Sequence, residues 1–407
     1  MNTPNNKAKD YMLDTVTLKL KYPDFRVTNP SFFTPAFSPQ NYNSNFAYGH
    51  NKYEKYKQNM TSEDKKVNNY KPSLTGYQRF ENNMPIYFLH IRFSIPKLIF
   101  RQSLQELSND DFSRVVSTLK TQLQFMGIEA TETTLRKAMV IEAHFGKNIP
   151  LPSPLTAQDA IAELYKADVG KSKAINMRHY ENGGQALYFY ASSYNIIFYD
   201  KLKEMEEPKN RAVEKDKLKF EKELIRTSDF EQDILRFEVR LTKQPSLNAF
   251  LTKALSRKIS GIVFEEIFDQ ELCKKAVLQS WQEIIGGSAS QLALKMDRPP
   301  EEIFDAMINS YISTGKRKAH SLNKLLQDFA LYTLVNKCGA RKIRDKIEKN
   351  WTPKSWNRMH VKLDRTLENL KDLPTDHIVS DIQIALDKFE RHNWKPKPTY
   401  NPSIDFH

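Results

Sequence analysis

Cysteine is nearly absent from this 407-residue chain: Cys273 and Cys338 are the only two. They stand far apart without a second pair, which excludes a disulfide framework and a zinc knuckle and predicts a reducing compartment. Glycine is also scarce, at 12 residues, and no G-x-x-x-x-G-K-[ST] run occurs, so a phosphate-cradling loop for ATP hydrolysis is not expected. No apolar run reaches the length of a membrane-spanning helix, and Met1–Asp10 lacks the apolar core of a signal peptide. A His-x-His pair, a common way of holding a catalytic metal, is missing too. Negative charge is the last deficit: 49 acidic residues face 62 Lys and Arg, for a net charge of +13. With a mean hydropathy of −0.63, this describes a basic chain without membrane segments, whose natural partner is a polyanion, nucleic acid ahead of a membrane surface.

The length predicts more than one folding unit. Residues 11–20 alternate and are β-branched, as a strand requires. Residues 23–69 are rich in Asn, Pro, Tyr and Lys with little periodicity. They read as a long loop or insertion, either a solvated excursion or a source of base and phosphate contacts. Residues 70–80 and 84–95 form a hairpin around Glu81-Asn82-Asn83, its second strand apolar and central. A helix is expected over 109–127, started by Asp110 and Asp111. Residues 132–146 are ambiguous between helix and strand, and Ala157–Tyr165 is helical. Gly183-Gly184 would turn between strands Lys173–Glu181 and Gln185–Tyr199. Residues 200–228 are charged and helical, 233–243 form a strand, and helices run from Pro245 to about 392. The expected class is α+β. A largely antiparallel sheet domain with packed helices spans 1–245, with 23–83 as a possible DNA contact; a helical domain follows over 246–392 and an extended tail over 393–407.

Two stretches carry chemistry. In Asn195-Ile-Ile-Phe-Tyr-Asp-Lys-Leu-Lys-Glu-Met205 a tyrosine ends an apolar run beside an acid and a lysine. In Asp233-Ile-Leu-Arg-Phe-Glu-Val-Arg-Leu241 one glutamate alternates with two arginines on a strand face. A phenol with a pKa near 10 attacks a phosphodiester only when activated, and a carboxylate-bound Mg2+ or Mn2+ near the scissile phosphate would supply that. Tyr199 is therefore a candidate nucleophile, Asp200 a candidate metal or proton partner, and Lys201 a phosphate contact. Glu238 is a candidate metal ligand between Arg236 and Arg240, although a cross-strand ion pair would explain it equally. Glu142 and His144, two apart, share a strand face and could complete the metal site, with Asp14 and His90 as further strand polars. Toward the C-terminus, Ser321–Lys337, Ala340–Lys349 and a Thr352-Pro353 helix start suit a helix-turn-helix element. Lys354, Arg358 and Lys362 would then lie on its DNA-facing or merely solvated side.

The order of these segments carries a resemblance. Tyr-Met-Leu-Asp-Thr-Val, then Ile-Arg-Phe-Ser-Ile-Pro-Lys-Leu-Ile, then Phe-Tyr-Asp-Lys-Leu-Lys-Glu-Met, then Leu-Arg-Phe-Glu-Val-Arg-Leu resembles the phage and plasmid rolling-circle replication initiators typified by the gene II protein of filamentous phages. Residues 325–370 are similar to that family's C-terminal region, so the likeness spans most of 11–370. It implies a metal-dependent endonuclease and strand transferase, with Tyr199 as the attacking residue and Glu142 and Glu238 as acids of the site. It also implies a 5′ phosphotyrosine adduct and a free 3′-OH primer. The implied partners are origin DNA, duplex and single-stranded, and a host helicase and polymerase in a bacterial cytoplasm, with a homodimer left open. The chain departs from the pattern in lacking an arginine just before Glu142, and in placing His90 and Arg92 where an acid is usual. The competing expectation is a non-catalytic origin-binding protein or repressor.

Overall fold

The computed structural model describes residues 10–11, 13–40, 54–82, 84–169, 176–178, 186–206, 218–227, 230–313 and 320–391. The expected Gly183-Gly184 turn and the 393–407 tail lie outside the described residues.

Nine strands form one sheet: β1 Leu13–Lys21, β2 Glu54–Gln58, β3 Ser73–Glu81, β4 Met84–Ser94, β5 Met139–Pro150, β6 Asn176–Arg178, β7 Ala186–Tyr190, β8 Tyr194–Asp200 and β9 Ile234–Leu241. Across the sheet the order is β6-β7-β8-β9-β5-β1-β4-β3-β2, and every neighbouring pair is antiparallel. The expected α+β class, with helices following the sheet, is what the chain adopts.

Several boundaries shift. Residues 23–69 are not simply a loop, because β2 comes from this stretch and forms one edge of the sheet. The single strand expected over 185–199 is a hairpin, β7 and β8, closed by Ala191 N–H donating to the Tyr194 carbonyl (2.7 Å). The ambiguous 132–146 segment resolves into a short helix, Glu132–Arg136, followed by β5. At the β3–β4 turn Asn82 takes φ +51°, the left-handed backbone that asparagine tolerates.

One sheet face is the core. Leu18, Leu89, Ile91, Phe145, Ile196, Phe198, Phe237 and Val239 alternate toward it and are buried. The helices Phe112–Phe125, Ala157–Leu164, Gln244–Leu255, Gln270–Ile285 and His377–Lys388 supply the opposing side chains, among them Leu119, Ile161, Leu251, Trp281 and Leu386. Phe198 stacks on Phe237 with centroids 4.6 Å apart, and Trp281 meets Phe198 edge-on at 6.3 Å.

A second hydrophobic cluster spans residues 289–370, built on Leu292, Met307, Val335, Trp356 and Leu363. The apolar clusters thus divide the chain differently from a boundary at 245, since the helices 244–285 and 377–388 belong to the sheet. Buried Asp328 centres the second cluster, accepting from Tyr311 Oη (2.8 Å) and Arg365 Nε (2.9 Å). Arg344 Nη1 donates to both Asp168 carboxylate oxygens at 2.9 and 3.0 Å, and Ala340 N–H donates to the Lys166 carbonyl (2.8 Å), tying this unit to the segment after Ala157–Leu164. Gly339, at φ +84°, allows that approach: a Cβ there would stand 3.0 Å from Lys166 Cα.

Candidate active site on the polar sheet face

The face of the sheet opposite the core carries a continuous row of polar side chains. Two irregularities in the β1–β5 register create it. One lies between Leu13 and Thr15, the other between Thr17 and Leu18, so Val140, Ala143 and Phe145 all reach the core while Glu142 and His144 turn outward. Cross-strand register then aligns Arg240 of β9 with His144 of β5 and Thr15 of β1, and Glu142 with Thr17 and, one strand on, Arg92.

At the β8 end, Tyr199 Oη donates to Glu238 Oε2 (3.3 Å). Arg240 grips the same carboxylate with two bonds of 2.9 Å, from Nε to Oε1 and from Nη2 to Oε2. His144 bridges onward, with Nδ1 3.1 Å from Glu238 Oε1 and Nε2 3.0 Å from Glu142 Oε1. Glu142 Oε2 accepts from Thr17 Oγ1 at 2.6 Å and pairs with Arg92 at 3.4 Å. Tyr199 and Glu238 are each 1% exposed and His144 4%, whereas the Arg92 side chain is 46% exposed, so the row opens toward solvent at its Arg92 end.

The charges set one another. Burial alone would lower the His144 pKa, but hydrogen bonding to Glu142 and Glu238 outweighs it and raises the pKa, which favours an imidazolium between the two carboxylates. Burial would raise Glu142; His144, Arg92 and Thr17 together hold it down at about 2. Glu238 is likewise kept well below the ordinary carboxylate range, against burial, by Arg240 and His144.

Glu142, His144 and Glu238, expected as metal ligands, are therefore neighbours, and their donor types suit a hard cation. Their arrangement does not. Both imidazole nitrogens are committed to carboxylates, and every oxygen of Glu142 and Glu238 already accepts from a side chain. The cation seated between the acids is His144 itself. Among the described residues no group of three His, Cys, Asp or Glu side chains is placed to hold a metal ion.

Other expected residues take different positions. Lys201 is fully buried at the start of the helix Lys201–Glu206, with Nζ 5.5 Å from the Tyr199 ring centroid, against the ring rather than on a phosphate path. Asp200 accepts from the Lys203 amide (3.0 Å) at that helix start, which explains its carboxylate without a metal. Arg236, 3% exposed, donates to Asp14 (2.7 Å) and Asn148 (3.1 Å), with its Nε buried and without a hydrogen-bond partner, and Arg240 donates to Glu238. His90 does not join Asp14; it lies on the outer side of β4 against Tyr77. Lys354, Arg358 and Lys362 are exposed at i, i+4 and i+8 on one face of the helix Pro353–Asn369. The helices His320–Cys338 and Ala340–Asn350 precede it, as expected, but Thr352 does not cap it, since its hydroxyl meets Ser355 Oγ (3.2 Å) instead of a backbone amide.

Sequence reasoning missed Thr17, Arg92 and Gly146 as parts of this site. The alternation Thr15-Val-Thr17 marks a polar strand face, but only the sheet order reveals that Glu142 lies across from it.

No family model, no curated protein and no solved structure matches the chain.

Proposed function

We propose that the chain is a replication initiator that nicks one strand of a replicon origin by tyrosine transesterification. The observation that carries this reading is the Tyr199 hydroxyl donating to the buried carboxylate of Glu238, the end of a charged relay through His144 to Glu142.

Glu238 orients the Tyr199 hydroxyl, whose proton passes to solvent as the oxygen attacks phosphorus. A tyrosine O–P bond forms, the P–O3′ bond breaks, and the departing 3′ oxygen takes a proton from solvent to become a free hydroxyl. The 5′ phosphate stays on Tyr199, so the strand can be rejoined by the reverse attack. Arg240 grips the Glu238 carboxylate with two bonds and so fixes it against the Tyr199 hydroxyl. His144 holds Glu238 in place. Because the expected Mg2+ or Mn2+ ligands are committed to one another, no step here runs through a metal. Tyr199 is covered, so attack follows an opening of the side chains packed on it, Tyr188 among them.

In this reading the helical unit grips duplex origin DNA, the 3′ hydroxyl primes a host polymerase, a host helicase opens the duplex, and the work is done in a bacterial cytoplasm. No helix among the described residues is long and apolar enough to cross a membrane.

The burial of Tyr199, at 1% exposed, favours one alternative, a non-catalytic origin-binding protein or repressor whose row of ion pairs only stiffens the sheet. Incubating supercoiled replicon DNA with wild type and Glu238→Gln, in Mn2+ or in EDTA, separates the two. Nicked circles from wild type alone support the initiator. Binding without nicking in either buffer supports the alternative.

A further inference from the structure

Beyond Arg92 the polar face continues over β1, β4, β3 and β2, where its character changes. The alternation that sends Leu18, Leu74, Leu89 and Ile91 into the core sends Lys19, Tyr77, Phe88 and His90 outward, all half-exposed, along with exposed Lys55 and Arg92. Register brings them together: Lys19 opposes His90, Tyr77 opposes Phe88, and Lys55 opposes Tyr77. The Tyr77 and His90 ring centroids are 4.3 Å apart. Lys19 Nζ stands 4.1 Å from the Phe88 centroid, and Lys55 Nζ 5.9 Å from that of Tyr77. Burial and the Lys19 charge pull the His90 pKa down to about 4, so its ring is neutral near pH 7. Of the carboxylates on this face, Glu81 pairs with Arg79 (3.8 Å) and Glu142 is held by Arg92 and His144.

Flat rings at two-residue spacing, interleaved with cations on the outer face of an antiparallel sheet, are the chemistry that accepts unstacked bases and follows a phosphate backbone. A duplex would hide its base faces from these rings. An anionic lipid surface would want apolar side chains that insert, and Ser73 and Thr75 share this face instead.

We propose that the outer face of β1, β2, β3 and β4 is a track for single-stranded DNA, with Tyr77, Phe88 and His90 as its stacking platform and Lys19, Lys55 and Arg92 as its phosphate contacts. The track leads into the Glu142–Tyr199 row. From β4 to β8 is four interstrand steps, about 19 Å at ~4.8 Å each, so a strand bound on the platform can cross the sheet to the candidate nucleophile. Only that destination rests on the nicking reading; the binding site does not.

The test is fluorescence anisotropy of labelled oligo(dT), the matching duplex, oligo(U) and anionic phospholipid vesicles, each with the full chain carrying Tyr199→Phe, so that strand cleavage plays no part. Tyr77→Ala with Phe88→Ala is expected to weaken oligo(dT) binding roughly tenfold and to leave duplex binding unchanged. Lys55→Glu, on an exposed edge strand where it disturbs no core packing, is expected to weaken it too and to flatten its salt dependence. Circular dichroism confirms that each variant is folded. Oligo(dT) affinity unchanged in both variants overturns the proposal, as does an equal loss on duplex. Tighter binding of oligo(U) or of vesicles than of oligo(dT) would reassign the surface to RNA or to membrane and overturn it as well.

Discussion

Gly146 and Arg236 share one volume: a Cβ on Gly146 would stand 2.3 Å from Arg236 Nη2 and 2.5 Å from its Cζ. The missing side chain on β5 lets the guanidinium lie flat across that strand and reach Asp14 on β1, two strands from its own backbone. The bond locks β9 to β1 beneath the Tyr199 row.

Gly146→Ala therefore expels Arg236 and leaves Asp14 buried without its partner. Losing one side of a buried ion pair costs about 3–5 kcal/mol, and the expected loss of stability is on that order. Urea unfolding of wild type and variant checks this. An unchanged midpoint would show that Arg236 has another route to Asp14.

The charged row also predicts how stability varies with pH. Glu142 falls from its ordinary 4.5 to about 2, so its contribution is complete above pH 4.5 and is lost as pH drops toward 2. His144 is raised above 6.5, so its contribution is complete below pH 6.5 and is lost as pH climbs through the raised value. The row is at full strength between those limits. His90 works against it: with its pKa lowered to about 4, acidification from 6.5 toward 4 costs stability. The His144 contribution is isolated by comparison with His144→Gln. The stability gap between wild type and variant should be widest below pH 6.5 and narrow as pH climbs through the raised value. A gap that widens as pH rises would mean that His144 is neutral in the fold, and a gap that does not change would mean that folding leaves its pKa unshifted.

Much of this was legible in the sequence, for reasons that mark where legibility ended. Period-two alternation in Leu235–Leu241 places Glu238 with Arg236 and Arg240 on one face, and they do share it. The two-residue spacing of Glu142 and His144 put them together as expected. What alternation cannot express is sheet order. That Glu238 meets His144 rather than another strand's polar residue depends on β9 pairing with β5, 94 positions away. The same ignorance hid that Arg236 and Arg240 pair with Asp14 and Glu238 within the sheet. The break between β7 and β8 was hidden because Ala191-Ser-Ser interrupts an apolar run without glycine or proline.

On the helical unit, Lys354, Arg358 and Lys362 form an outward line with no ion pair among those the described residues show. Replacing all three by Ala should weaken duplex binding at every sequence and reduce the slope of log affinity against log salt by about three, near one for each phosphate no longer neutralised. Binding titrations over a range of salt concentrations measure it. An unchanged slope would mean that this face is only solvated, and the stability of the unit should not change in either case.

The central claim is that Tyr199 becomes covalently attached to DNA. The most direct measurement incubates origin DNA labelled at the 3′ end of the nicked strand with wild type and with Tyr199→Phe, then runs a denaturing protein gel. Label is expected to migrate with the wild-type chain and not with Tyr199→Phe, and a tryptic DNA-linked peptide is expected to contain Tyr199. An adduct that persists in Tyr199→Phe, or nicking by wild type with no protein-linked label, would contradict it.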